Sequence, residues 1–439
     1  MVKVGVLGCG HVGGALARLL AERSNDVATR TGLRLELARV AVRSVTKERP
    51  VTIAPHVLTH DAAAVVEDPH VDVVVEAIGG IEPARELILA AIKAGKPVVT
   101  ANKELVANHG AELFSAAETA GVDLLFEAAV GGGIPILRPL RESLAGEDIS
   151  RIIGIVNGTT NFILTRMTEH GSTYGEALAE AQNLGFAERD PTADVEGFDA
   201  GAKAAILASI AFGARVVAGD VYHEGISGIT ASDIAFASRL GYVIKLLAIA
   251  ELSSAELSGD DDPTRPAVAV RVHPSMVPAA HPLASVHDSF NAVFVEGRAV
   301  GGLMFYGRGA GGSPTASAVL GDLIDAAGNL RKGTHASIGT LSKAHIVPID
   351  DIVSSFYLNV DVVDRPGVLR LIAEVFERHQ VSIRSLEQEG LGDDARLIFI
   401  THPAREAAVQ ATLHGLRQLD VIHRIGSVLR VMVNDPAAG

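Results

Sequence analysis

The chain has 439 residues, a formal net charge of -14, a single cysteine and only 4% aromatic residues. That length accommodates two to four domains, each with its own core. An acidic, aromatic-poor surface without a basic run excludes nucleic acid and anionic membranes as expected partners and leaves small molecules. The lone Cys9 rules out an internal disulfide and a thiolate zinc cluster, and it is compatible with a reducing cytoplasm, the expected location. No charged leader precedes the first strand, and alanine-rich runs such as 204–212 are too short to span a bilayer.

In chain order, residues 1–130 alternate apolar strands and helices. Strands are expected at Val2–Leu7, Leu33–Val42, Val71–Ala77, Pro97–Thr100 and Val122–Ala128. Such continuous apolar runs suit a parallel sheet buried on both faces, so a Rossmann-type, doubly wound α/β domain is predicted here. Residues 131–310 read as a mixed α+β substrate and dimerisation domain, with strands at Ser150–Val156 and Val268–Val272 and helices at 174–185, 200–214 and 231–251. The stretch Ser258–Pro266 is a polar loop, and 310–340 is expected to pack back on the first domain. A linker is placed at 341–354. From 355 to 434 the pattern restarts as βαββαβ, a ferredoxin-like unit.

Gly8-Cys9-Gly10-His11-Val12-Gly13 follows a strand and opens an apolar-periodic helix, the context in which G-x-G-x-x-G cradles a pyrophosphate at a helix N-terminus. The next strand should present an acid to a free ribose hydroxyl, or a base to a 2′-phosphate. It ends Val42-Arg43-Ser44 with Lys47 close behind, while Glu36 lies mid-strand. Arg43 therefore favours NADP(H), with NAD(H) possible. Thr100-Ala101-Asn102-Lys103 follows another buried strand, which places Thr100 and Lys103 beside the nicotinamide crevice. A second glycine turn, Gly307 to Pro314 with Gly309 and Gly311, precedes a helix and is expected to close over the cofactor.

The most telling stretch is Asp199-Ala-Gly-Ala-Lys203, which opens the apolar run Ala204–Phe212. A carboxylate and an ammonium four residues apart share one helix face, and here almost no polar face remains around them. Lys203 is expected to be buried, and an ammonium forced out of water needs a partner or a chemical task. Glu127 leads into Val130-Gly-Gly-Gly-Ile134-Pro135, a backbone-rich turn whose carbonyls suit a hard cation beside one carboxylate.

Taken with Asn157-Gly-Thr-Thr-Asn161, Gly185-Phe-Ala-Glu188, Asp190-Pro191 and Asp194, these motifs make the chain resemble the homoserine dehydrogenases over nearly its whole length. The resemblance implies reversible NAD(P)-dependent interconversion of L-homoserine and L-aspartate 4-semialdehyde, a step toward threonine, methionine and isoleucine. It implies Lys203 as proton donor, Lys103 near cofactor and substrate, and Glu188, Asp194 and Asp199 on the substrate. Gly185, with Gly8, Gly10, His11, Val12 and Gly13, would contact the cofactor. A monovalent cation, sodium or potassium, would sit on Glu127 and the carbonyls of Val130, Gly132 and Ile134. The tail resembles an ACT domain, with Asp364-Arg365-Pro366-Gly367 at its first turn, and family membership suggests threonine as effector and a homo-oligomer, dimer or tetramer.

Two other readings compete. A phosphorylating aldehyde dehydrogenase needs a thiolate nucleophile, and Cys9 is confined to the glycine turn. A dinucleotide-sensing regulator with an amino-acid-binding tail would have no use for Lys203 in turnover.

Overall fold

The computed structural model describes residues 1–49, 51–253, 265–339, 341–390 and 395–432. Most of the expected loop Ser258–Pro266 lies outside the described residues.

The N-terminal sheet is built from β1 (Val2–Leu7), β2 (Leu35–Ala41), β3 (Leu58–Thr59), β4 (Val73–Glu76), β5 (Val98–Thr100) and β6 (Leu124–Leu125), in the order β3-β2-β1-β4-β5-β6 and parallel throughout. This is the doubly wound arrangement that gathers ligands at the carboxyl ends of its strands. Helices α1 (His11–Thr31), α2 (Ala62–Glu67), α3 (Ala84–Lys93) and α4 (Lys103–Ala120) connect the strands. Val73, Val74 and Val75 are fully buried, which explains why the strand reads as an unbroken apolar run rather than an alternating one.

The middle region carries β7 (Ile149–Ile155), α5 (Gly158–His170), α6 (Tyr174–Asn183), α7 (Thr192–Val195), α8 (Phe198–Phe212), β8 (Ala214–Arg215), β9 (Tyr222–His223), α9 (Ala231–Arg239), β10 (Tyr242–Leu252), β11 (Ala267–Pro278), β12 (Phe290–Gly297) and β13 (Gly301–Arg308). The single helix expected over 231–251 is in fact a short helix followed by a long strand. Gly241 takes the left-handed conformation at φ +79°, which ends the helix, and the apolar residues after it pair with both β11 and β7.

Helix α10 (Gly312–Lys332) returns to the first domain, where Ala316, Val319 and Leu323 share a core with Val4, Val6, Leu16 and Leu20. The segment expected as a linker is not a free tether. Its strands β14 (Ser342–Lys343) and β15 (His345–Ile346) pair with β8 and β11, and Val347 and Ile352 pack on Ala267 and Ala269.

The C-terminal unit consists of β16 (Val353–Val362), α11 (Val368–Arg378), β17 (Ile383–Glu389), β18 (Ala395–Thr401), β19 (Ala404–Arg405), α12 (Glu406–Arg417) and β20 (Ile422–Val431). The order β20-β16-β18-β17, antiparallel throughout, is the ferredoxin-like sheet. Phe356, Leu358 and Val360 face its own helices, whereas Tyr357 between them joins the core of the middle region together with Leu429 and Val431. Strand β20 also pairs in parallel with β11 at Ser275 and Met276, so the tail and the middle region share one sheet.

Candidate active site

Two helix N-termini converge. Lys103 is the first residue of α4, whose cap Asn102 accepts the Leu105 amide. Asp199 lies in the first turn of α8, which starts from Gly197 at φ +86°, and the positive end of that helix favours its carboxylate. One helical turn on, the Lys203 ammonium donates to Asp199 Oδ2 at 2.6 Å and to the carbonyl of Val156, just past β7, at 2.7 Å. Lys103 Nζ stands 3.2 Å from the other oxygen, Oδ1. Lys203 is 12% exposed and Asp199 11%, so both are largely withdrawn from water, as the apolar run requires.

The electrostatics follow from this geometry. Burial alone would raise the Asp199 carboxyl, but the Lys203 and Lys103 ammonium groups outweigh it and hold it at about 2. Burial opposes the charge of Lys103 as well, and attraction to Asp199 leaves it above the ordinary lysine value. Asn157 anchors the acids: its amide donates to Asp199 Oδ2 at 2.9 Å and to Asp194 Oδ1 at 2.7 Å, while its carbonyl caps α5 at Thr160. Burial raises the Asp194 carboxyl, and Thr159 donates to it at 3.2 Å.

At the same edge of the parallel sheet the dinucleotide turn is drawn very tight. A Cβ on Gly13 would lie 2.1 Å from the Gly8 carbonyl oxygen, one on Gly8 (φ +97°) 2.6 Å from that of Ala77, and one on Gly312 2.9 Å from that of His11. No side chain caps α1 at Gly10, and nothing lies within 4 Å of where a Gly10 Cβ would stand. Open space before uncapped helix amides fits a pyrophosphate. Gly311 caps α10, so the second glycine turn abuts the first. Arg43 and Lys47 are exposed just beyond β2. Burial pushes the Cys9 thiol up despite the nearby Arg49 guanidinium, which leaves it a poor nucleophile.

Sequence reasoning missed Glu76. It is fully buried at the end of β4, accepts the amides of Ile78 and Gly79 at 2.7 and 2.9 Å, and takes the Thr100 hydroxyl at 2.5 Å. An acid closing an apolar strand at its carboxyl end was the available signal. Gly185 is exposed at the end of α6 and Glu188 is exposed on the following loop; between them the Phe186 carbonyl accepts the Thr159 hydroxyl at 2.7 Å, the same hydroxyl that lies 3.2 Å from Asp194. The Glu127 carboxylate accepts the amides of Ile136, Leu137 and Arg138 at 2.5–2.8 Å. Among the described residues no group of three or more His, Cys, Asp or Glu side chains could hold a metal ion, and no helix is long and apolar enough to cross a membrane.

A helix N-terminus shaped for a pyrophosphate, on the same sheet edge as an ammonium pair held by one carboxylate, defines a dinucleotide-linked oxidoreductase. The family follows from comparison. The chain belongs to the homoserine dehydrogenases: residues 135–324 match the homoserine dehydrogenase model, 8–127 the homoserine dehydrogenase NAD-binding domain and 356–419 the ACT domain. The homoserine dehydrogenase of Corynebacterium glutamicum is 52% identical over 98% of this chain and 95% of its own length, and that of Mycobacterium tuberculosis 48% over 98% and 97%. A crystal structure of a homoserine dehydrogenase from Thiobacillus denitrificans superposes with a TM-score of 0.89 at 40% identity, covering 98% of both chains. A hyperthermophilic archaeal homoserine dehydrogenase in complex with NADPH gives 0.59 at 28%, covering 74% of this chain and 97% of its own.

Proposed function

We propose that the chain interconverts L-homoserine and L-aspartate 4-semialdehyde reversibly, with Lys203 passing the proton at the substrate oxygen. The observation that carries this reading is the fixed Lys203 ammonium. It has three N–H donors, and two are committed to Val156 and Asp199. The third is available to the aldehyde oxygen, where it stabilises the developing alkoxide and then delivers its proton. The bound dinucleotide supplies or takes the hydride. Lys103 draws the same carboxylate from the other side and so fixes the Asp199 plane. Both Asp199 oxygens hold an ammonium, which leaves the exposed Glu188 as the carboxylate for the substrate's own ammonium, with Asp194 behind it. Glu127 and the turn carbonyls of Val130, Gly132 and Ile134 offer the oxygen set of a monovalent cation. Homoserine-dependent reduction of NADP⁺ or NAD⁺ by the purified chain is the test; no reduction of either would return the fold to a sensing role.

Arg43 supports a preference for NADP(H), since it follows β2 and is exposed to a 2′-phosphate. Arg43→Asp is expected to raise the KM for NADPH at least tenfold more than that for NADH, because the reversed charge repels only the phosphorylated ribose. Steady-state kinetics with both cofactors check this, and equal effects would make Arg43 a structural residue.

A further inference from the structure

Glu76 stands at the middle of the carboxyl edge of the parallel sheet. On one side it pairs with Leu7 of β1, the residue before the dinucleotide turn, and on the other with Thr100 of β5, just ahead of Lys103. Both flanking segments lean on the loop that follows it. A Cβ on Gly8 would lie 2.6 Å from the Ala77 carbonyl oxygen, and Asn102, the cap of α4, donates its side-chain amide to the Gly80 carbonyl at 2.6 Å. With the hydride exchanged beside Lys103 and Lys203, as the proposed function has it, and the pyrophosphate at Gly10, the nicotinamide half of the dinucleotide must run from the end of β1 to the end of β5. That path crosses the end of β4, over Glu76.

The Glu76 side chain is fully buried, and its hydrogen bonds are those of an ionised carboxylate. Oε1 accepts the amides of Ile78 and Gly79. Oε2 takes the Thr100 hydroxyl at 2.5 Å, the length of a bond to a charged oxygen, while the Thr100 oxygen itself accepts the Asn102 amide at 3.0 Å. All three donors to Glu76 are neutral, whereas Lys103 and Lys203 are matched by Asp199 and Asp194. A charge held out of water without an opposite partner is costly, which points to a task for it. Hydride transfer to the aldehyde turns the neutral dihydropyridine ring of the cofactor into a pyridinium cation. We propose that the Glu76 carboxylate acts through space on that ring, stabilising the bound oxidised dinucleotide over the reduced one and so favouring aldehyde reduction on the protein. A unit charge about 10 Å away at an effective dielectric of about 20 alters a binding constant by roughly tenfold without touching the ligand.

Calorimetric titration of the full chain with NADPH and with NADP⁺, at one ionic strength, reads the effect without turnover. Glu76→Gln keeps an oxygen for the Ile78 and Gly79 amides and turns an N–H toward the second lone pair of the Thr100 oxygen, so it removes the charge at nearly constant shape. The variant is expected to bind NADPH much as the parent does and NADP⁺ about tenfold more weakly. Glu76→Asp draws the carboxylate back by one methylene and loosens the loop, so both affinities are expected to fall while their ratio stays within about threefold of the parent's. An unchanged ratio in Glu76→Gln, or an equal change of ratio in Glu76→Asp, would overturn the proposal. Should Glu76→Gln fail to fold, the parent chain decides. The two dinucleotides differ only in the ring, so NADP⁺ is expected to bind the parent no more weakly than NADPH, and a preference for NADPH above about tenfold would count against Glu76. A parent that binds neither form would overturn the proposed function together with this inference, whereas an unchanged ratio overturns this inference alone.

Discussion

Lys203→Ala is expected to lower homoserine turnover by roughly 10²–10⁴-fold, the usual contribution of a positioned proton donor, while cofactor affinity changes little. The geometry sharpens the expectation. Removing Lys203 leaves Asp199 with Lys103 at 3.2 Å and the Asn157 amide at 2.9 Å, so the carboxylate keeps partners and the helix should survive. A folded, cofactor-binding and nearly inactive variant is therefore the predicted outcome, checked by steady-state kinetics beside a fluorescence titration of reduced dinucleotide. Turnover close to that of the parent chain would remove Lys203 from the reaction. The control is Lys203→Arg, which keeps the charge but holds its protons too tightly to transfer them, and should remain slow.

Ending the chain near residue 345 should destabilise the remaining body rather than release a self-sufficient enzyme. From the sequence alone, a body carrying every dinucleotide and substrate motif looks self-sufficient once the linker is reached. The structure argues otherwise. Arg430 is 5% exposed on its side chain and bonds both Glu224, in the middle region, and Glu406, at the start of α12. The cut removes Arg430 and Glu406 together and leaves Glu224, already 31% exposed, to water, so the loss lies in the packing and strand pairing that the tail contributes. The cut also uncovers the β11 edge at Ser275 and Met276 and strips Tyr357, Leu429 and Val431 from the main core. Soluble yield and the thermal midpoint of the truncated chain are the measurements. An intact midpoint with full activity would show the tail to be independent. Whether threonine acts on the chain is then tested on the full-length protein with a point change, Asp364→Ala, on an exposed turn.

How far the sequence could be read depended on whether a feature was local. The dinucleotide turn, the parallel strands and the βαββαβ tail are all written in short-range periodicity and glycine placement, and each stands where the pattern put it. Lys203 with Asp199 was legible because four residues on a helix fix a distance. Lys103 was legible only as a strand-end residue; nothing local announced that it would share the Asp199 carboxylate from a different domain. The role of Asn157 was hidden for the same reason, since its amide bridges two acids 37 and 42 positions away. The failure at 231–251 has another cause. Alanine, leucine and isoleucine serve helix and buried strand alike, and only Gly241 marked the break. Lys245 in that strand, 4% exposed and donating to Asn161 and the Val286 carbonyl, would have looked like a solvated helical residue. Burial with such partners and little compensating charge lowers its ammonium to about 8.

The continuous sheet that runs from β13 through β11 and β20 to β17 changes how the tail can be inherited. A regulatory module attached by a flexible tether can be exchanged between unrelated enzymes as a cassette, because nothing in the recipient needs to match it. Here the recipient must supply the exposed strand that β20 joins, a glutamate to meet Arg430 and a surface shaped for Tyr357. Transplanting this tail onto another enzyme, or replacing it with a different one, would mean redesigning both sides of a seam that crosses the protein's own core.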